Sequence, residues 1–229
     1  MERSPLMRKT RTEALKTRER LLDAAERVFC ERGVSRTSLA ELATAAGVTR
    51  GAVYWHFKDK AGVFRAMCDR ATSPFATMIE QAGATAAADP LATLRGLCIS
   101  GLQRLATDVR TQTVFGIIFH KCERVDELAG LASGHERDRT ECTARLEDIV
   151  RQAASAGQLG ANADATMATR ALNAFLTGVM HEWLLRPRAY DLAAAAPALV
   201  DVFLAGLRAQ PPRRERRGTP RVRPKTRIG

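Results

Sequence analysis

The chain lacks the marks of most chemistries. Its five cysteines, Cys30, Cys68, Cys98, Cys122 and Cys142, are an odd number without a CxxC pair, which excludes a disulfide framework and a thiolate zinc site. They read as buried or half-buried thiols that behave as small hydrophobes. Only four histidines occur, His56, His120, His135 and His181, and none stands at metal-ligand spacing from another, so no metal site is expected. His120 and Cys122, two apart on a helix, point to different faces. GxSxG and phosphate-cradling glycine loops are missing, so no catalytic constellation can be assembled; an enzyme is not expected and no cofactor is implied. The most apolar stretches, 115–120 and 173–185, are too short or too mixed with polar residues to cross a bilayer. No apolar run resembling a signal peptide stands at the N-terminus, and the expectation is a cytosolic protein. Alternating strand patterns and internal repeats are also missing, which points to an all-α fold of about nine helices.

What is present is charge, unevenly spread. Of the net +11, residues 1–60 hold 13 Lys or Arg against 8 Asp or Glu, residues 61–207 hold 14 against 16, and residues 208–229 hold 9 against 1. Both ends are basic and the middle is a near-neutral body, so any nucleic-acid surface belongs to the ends.

The most informative stretch is 37–60, TSLAELATAAGVTRGAVYWHFKDK. Before it, Leu21, Leu22, Ala25, Val28 and Phe29 recur at three- and four-residue spacing, predicting an amphipathic helix over about 13–32 that Gly33 ends. Ser38 with Glu41 fits a capping box that opens a second helix. Leu39, Leu42 and Ala43 then face the core of the first. Gly47 and Val48 make a tight corner. Thr49 caps a short third helix in which Val53 and Phe57 face inward. That leaves Arg50, Gly51, Ala52, Tyr54, Trp55 and His56 outward or sideways, an unusual strip for a surface without a partner. Helix, glycine turn and short helix together form the corner that sets a recognition helix into a DNA major groove.

Asp59 should cap a long fourth helix, about 60–83, shared between head and body. Further helices are expected over 90–107, 110–122, 126–156, 163–186 and 190–209, with breaks at 157–160 and Pro187. The domains then read as a basic arm (1–12), a helix-turn-helix head (13–60), a larger helical body (61–209) and a disordered basic tail (210–229), PPRRERRGTPRVRPKTRIG from 211. Arm and tail are either solvated ends or non-specific DNA contacts.

Residues 11–67, and above all GVTRGAVYWHFKDK (47–60), resemble the DNA-binding domain of the TetR family of bacterial repressors. IIFHKCE (117–123) and GVMHEWLLRPRAYDL (178–192) resemble the ligand-binding domain of AcrR-like efflux regulators. The resemblance implies double-stranded operator DNA, a small-molecule inducer and a second copy of the chain as partners, and a pseudo-palindromic operator. Phosphate contacts would fall to Thr37, Ser38, Tyr54, His56 and Lys60, and base reading to Thr49, Arg50, Gly51, Ala52 and Trp55, with Arg50 suited to a bidentate guanine contact. An inducer cavity would be lined by Cys68, Thr72, Phe75, Met78, Leu102, Phe115, Phe119, His135, Phe175 and Met180. Flexible methionine and flat aromatic walls suit bulky amphipathic drugs. Thr72 stands where AcrR-like pockets carry a glutamate, which removes the basis for a strong preference for cationic drugs. His120 and Glu123 read instead as polar anchors. Leu172, Leu176, Val179 and Trp183, with Leu199, Phe203 and Leu207, are the candidates for a dimer interface, a four-helix bundle between subunits.

The expected mechanism is a population shift: a ligand displaces the fourth helix and the two heads lose the operator spacing. Two alternatives remain open at this point. One is a repressor of the same build that answers a metabolite, or oxidation of Cys68 or Cys122; the other is a sequence-tolerant basic protein that coats DNA.

Overall fold

The computed structural model describes residues 5–85, 88–122, 129–160 and 163–213, with side chains described there except at 5–10, 84–85 and 129–140. Among the described residues the regular structure is nine α-helices and one isolated bridge: α1 (Pro5–Arg32), α2 (Leu39–Ala46), α3 (Arg50–His56), α4 (Lys60–Thr85), α5 (Pro90–Thr107), α6 (Val109–His120), α7 (Ala129–Ser155), α8 (Ala165–Leu185) and α9 (Leu192–Ala209). The all-α expectation holds.

Side-chain oxygens cap most of these helices. Ser38, Thr49, Asp89, Asp108, Asp164 and Asp191 each accept a backbone N–H of the first turn of the helix that follows. Asp59 does the same for α4, accepting from Gly62 N at 2.7 Å. Each such cap contributes about 1 kcal/mol.

Two hydrophobic clusters organise the molecule. The first gathers Leu21, Leu22, Val28 and Phe29 of α1, Leu42 of α2, Val53 of α3 and the start of α4 from Val63 to Ala71, and it also takes in Val114 and Ile117 of α6. The packing boundary of the head therefore lies well inside α4 and not at residue 60. Just beyond it, Pro74 interrupts α4 and leaves the Arg70 carbonyl without its helical donor. The second cluster joins Leu94, Cys98, Leu102 and Leu105 of α5, Ile149 and Val150 of α7, Leu172 of α8 and Val200 and Leu204 of α9.

Both ends of the chain differ from expectation. Helix α1 starts at Pro5, so residues 5–12, expected to be a mobile arm, extend it. Proline suits a first turn, and lengthening a helix that is already packed avoids the cost of nucleation. At the other end the tail is pinned through residue 213. Arg213 bridges Ala163, Asp164 N donates to Pro212 O at 2.7 Å, and Pro211 sits so close to Gly160 that a Cβ there would lie 2.9 Å from its ring. Helix α9, at 18 residues and a mean hydropathy of 1.6, is long and apolar enough by length and composition to cross a membrane, contrary to the sequence reading. It nevertheless buries Leu192, Ala196, Val200, Leu204 and Leu207 and carries Asp201 in a bidentate pair with Arg95 of α5 at 2.6 and 2.8 Å.

Candidate functional site

The helix-turn-helix corner is built by local rules and then locked by α1. Ser38 and Glu41 form the complete capping box: Ser38 Oγ accepts Glu41 N at 3.2 Å, and Ser38 N donates to Glu41 Oε2 at 2.8 Å. These bonds, with Arg32 nearby, hold the Glu41 carboxyl below its ordinary pKa. At the other end of α2, Gly47 takes φ 64°, ψ 40°, and Val48 N reaches back to Ala43 O at 3.0 Å, a left-handed stop that only glycine adopts without strain. From α1, Arg20 donates to the carbonyls of Ala46 and Gly47 at 2.7 and 3.1 Å, and Arg27 to that of Ala45 at 3.0 Å. These cations satisfy the orphan carbonyls at the end of α2 and favour its negative pole.

Helix α3 presents the expected face. Val53 and Phe57 are buried, while Tyr54 and Trp55 are 49% and 72% exposed, among the most exposed large hydrophobic side chains described. Arg50 lies over the Tyr54 ring at 5.6 Å and donates to its hydroxyl at 3.4 Å, so the guanidinium is held out along the helix. Thr49 accepts Ala52 N, and Gly51 and Ala52 leave the start of the helix open to close approach. His56 packs edge-on against Trp55, and burial, then Arg18, holds its imidazole below the ordinary histidine pKa.

Beside this face lies a cleft of about 420 Å³ lined by Ser35, Arg36, Thr37, Ser38, Leu39, Tyr54, Lys58, Asp59 and Lys60. It corrects part of the phosphate set. Thr37 is 2% exposed and donates its hydroxyl to Gly33 O at 2.8 Å, closing a carbonyl orphaned at the end of α1. The Ser38 hydroxyl donates to Glu41 Oε2 at 2.9 Å. Lys60 is held by Ser35 O at 3.0 Å. Arg36 and Lys58, exposed on the rim, were missed by the sequence reading; each is the single cation of a short loop, Arg36 between α1 and α2 and Lys58 between α3 and α4, and only the fold brings the two loops together.

In the body, three of the expected cavity residues form an aromatic chain. Phe75 meets Phe115 at 6.1 Å and Phe115 meets Phe119 at 5.9 Å between ring centroids. Arg104 lies 5.9 Å over Phe75, with its Nε buried and without a hydrogen-bond partner among the described residues. Met78 and Met180 are half-buried, and Thr72 donates to Cys68 O at 3.0 Å. Cys68 and Leu102 do not belong to a cavity wall. Both are at or near zero exposure inside the first and second clusters, and burial pushes the Cys68 thiol pKa up. Phe175 points the other way, stacked on Phe203 of α9 at 4.8 Å. His135 and Glu123 lie outside the described side chains.

The expected interface residues also divide. Leu172, Trp183 and Leu207 are buried in the subunit's own core, and Trp183 Nε1 donates to Tyr190 O at 3.2 Å across the α8–α9 corner. Leu176, Val179, Leu199 and Phe203 are half-buried. Outside them runs an exposed, mostly small and apolar surface: Met167, Ala171, Ala174 and Gly178 on α8, and Ala198, Val202, Gly206 and Ala209 on α9, with Val202 76% exposed.

A capped helix-turn-helix head that shares a helix with a larger α-helical body defines a DNA-binding regulator. Comparison with known proteins makes this specific. A family model for bacterial regulatory proteins of the tetR family matches residues 21–67, and one for the C-terminal region of MAATS-type transcriptional repressors matches residues 89–209. The chain is 37% identical over 199 residues to the transcriptional regulator AcrR of Shigella flexneri, covering 87% of this chain and 93% of that protein. Its fold is similar to that of NalD, the secondary repressor of the MexAB-OprM multidrug efflux pump in Pseudomonas aeruginosa, with a TM-score of 0.74 and 34% identity over 85% of this chain and 97% of that one. It is also similar to SmeT in complex with triclosan, SmeT being the repressor of the Stenotrophomonas maltophilia pump SmeDEF, with a TM-score of 0.72 and 34% identity over 83% and 91% of the two chains. The chain belongs to the TetR family of bacterial transcriptional regulators.

Proposed function

We propose that this protein is a cytoplasmic, ligand-responsive repressor of a multidrug-efflux operon that binds a pseudo-palindromic operator as a homodimer. The observation that carries the reading is the α3 face. Arg50, Tyr54 and Trp55 stand outward on a helix whose position is fixed by two caps, a left-handed glycine and two arginines from α1. Arg50, Gly51, Ala52 and Trp55 read base edges, and Tyr54, Arg36, Lys58 and the remaining donors of Lys60 hold phosphates around the cleft. That face also argues against a sequence-tolerant coating protein.

The exposed surface of α8 and α9 around Val202 supports dimerisation: its small side chains let two helix pairs approach closely, and Val202 and Met167 stand exposed on it. The aromatic chain Phe75–Phe115–Phe119, with Met78 and Met180, supports an inducer site for flat hydrophobic drugs. Arg104 above Phe75 adds a donor for a ligand acceptor or anion, in keeping with Thr72 as a neutral residue. The efflux assignment rests on relatives named as pump repressors, and triclosan, the ligand of SmeT, is the natural first probe.

The test is genome-wide footprinting with purified protein at fixed salt, followed by titration of triclosan against the strongest site. A footprint beside an efflux operon, released by triclosan, is the expected result. Scattered sites whose affinity collapses with salt favour the coating protein. A drug that binds tightly without lowering operator affinity refutes the population shift.

A further inference from the structure

His120 and His181 are far apart in sequence and adjacent in space. His120 closes α6 and His181 lies near the end of α8, both exposed, with ring centroids 4.7 Å apart and planes at 60°. The Phe119 ring backs both, at 6.2 and 5.7 Å. Both imidazoles reach the surface.

The separation matches a chelate. Two imidazoles with nitrogens about 2.0–2.1 Å from one ion put their ring centres about 4.5–5.3 Å apart for ligand angles between square and tetrahedral. We propose that His120 and His181 form a two-imidazole site for a divalent transition-metal ion of the class that prefers nitrogen ligands, such as Ni2+, Cu2+ or Zn2+. No group of three or more His, Cys, Asp or Glu side chains is assembled among the described residues, so water completes the coordination and the ion exchanges.

The pair lies where α6 meets α8, while Phe175 stacked on Phe203 marks the α9 side of α8; His181 continues the exposed stripe of Ala174 and Gly178, seven and three residues before it. Its place in the fold gives it a consequence. The residue after His120, Lys121, accepts the N–H of Val34 from the head at 3.2 Å. An ion on this pair ties the end of α6 that the head rests on to α8.

The probe is Ni2+ alone, added to the full-length, tag-free protein, to His120→Gln, to His181→Gln and to the double variant, with calorimetry and thermal melting on each. Wild type should bind one more ion per chain than the double variant. Ni2+ at about ten times its Kd should raise the wild-type Tm by roughly 3–6 °C, and each single variant should weaken binding at least about ten-fold, the loss of one of two ligands. In wild type, Ni2+ should broaden the imidazole NMR signals of two histidines and spare the others, a readout that does not depend on any variant folding. Equal stoichiometry and equal Tm shift in wild type and double variant, wild-type affinity in either single variant, or broadening that omits the pair would overturn the proposal.

Discussion

The joint between head and body is set by Arg70. It reaches from α4 to three carboxylates of α1, lying 2.7 Å from Glu19 and 2.9 Å from Asp23 and paired with Glu26, while Arg110 of α6 meets Asp23 at 3.2 Å and Glu26 at 3.4 Å. Only 13% of the Arg70 side chain and 12% of Glu26 are exposed. Bonds to Glu19 and Glu26 outweigh the burial of Arg70 and raise its pKa. Replacing Arg70 by Met keeps the length and removes the charge. Breaking a buried pair from one side costs about 3–5 kcal/mol. Here Glu19 and Asp23 remain half-exposed and regain water, and Glu26 keeps Arg110, so the expectation falls to about 2–3 kcal/mol. At roughly 2–4 °C per kcal/mol for a chain of this size, the Tm should drop by about 4–12 °C. Adding Glu26→Gln to Arg70→Met should restore part of the loss, because the buried carboxylate no longer stands unpaired. High salt should shrink the Glu19 and Asp23 shares and leave the Glu26 share. A loss below about 0.5 kcal/mol, the range of an ordinary surface substitution, would show that the cluster is not a joint.

Three further outcomes are expected. Arg50→Ala should lower affinity for the footprinted operator by about 1–3 kcal/mol while leaving binding to unrelated DNA nearly unchanged, measured by fluorescence anisotropy; equal losses on both would remove Arg50 from base reading. Val202→Asp should yield a folded monomer by sedimentation, with operator affinity lost alongside the dimer; a variant that stays dimeric would move the interface off this face. The carboxyls of Asp108, bonded to Thr111, and Asp201, bonded to Arg95, have folded pKa values depressed below 3.8. The stability they contribute is therefore fully present above 3.8 and is lost as pH falls through the lower folded values. Asp108→Asn, which still caps α6, should lose less stability than wild type between about pH 5 and pH 2.5 in urea melts; parallel losses would refute the assignment.

The head could be written from sequence because its devices are local. Ser38 and Glu41 stand three apart, Gly47 marks the corner and Val53 and Phe57 share a face, so caps, turn and core face follow from spacing alone. The same reasoning misjudged Thr37, whose hydroxyl is buried on a backbone carbonyl, and did not foresee that the exposed Ser38 hydroxyl also bonds Glu41, since a side chain's partner is a matter of geometry and not of residue type. In the body, periodicity located the helices but could not say which side each apolar residue faces. Leu172, Trp183 and Leu207 turned inward, Cys68 and Leu102 went to the cores, and Phe175 went to Phe203.

Sequence by itself thus determined the helices, the caps of the head, the reading corner and the family, all set by contacts within a few residues or by motif. Tertiary structure alone decided what depends on distant residues meeting: the Arg70 joint with α1, the arginines of α1 that close α2, the division of α8 and α9 between core and surface, and the pairing of His120 with His181. The physical reason is one of range, since helix and cap energies act over three or four positions, whereas ion pairs, ring contacts and burial act through space.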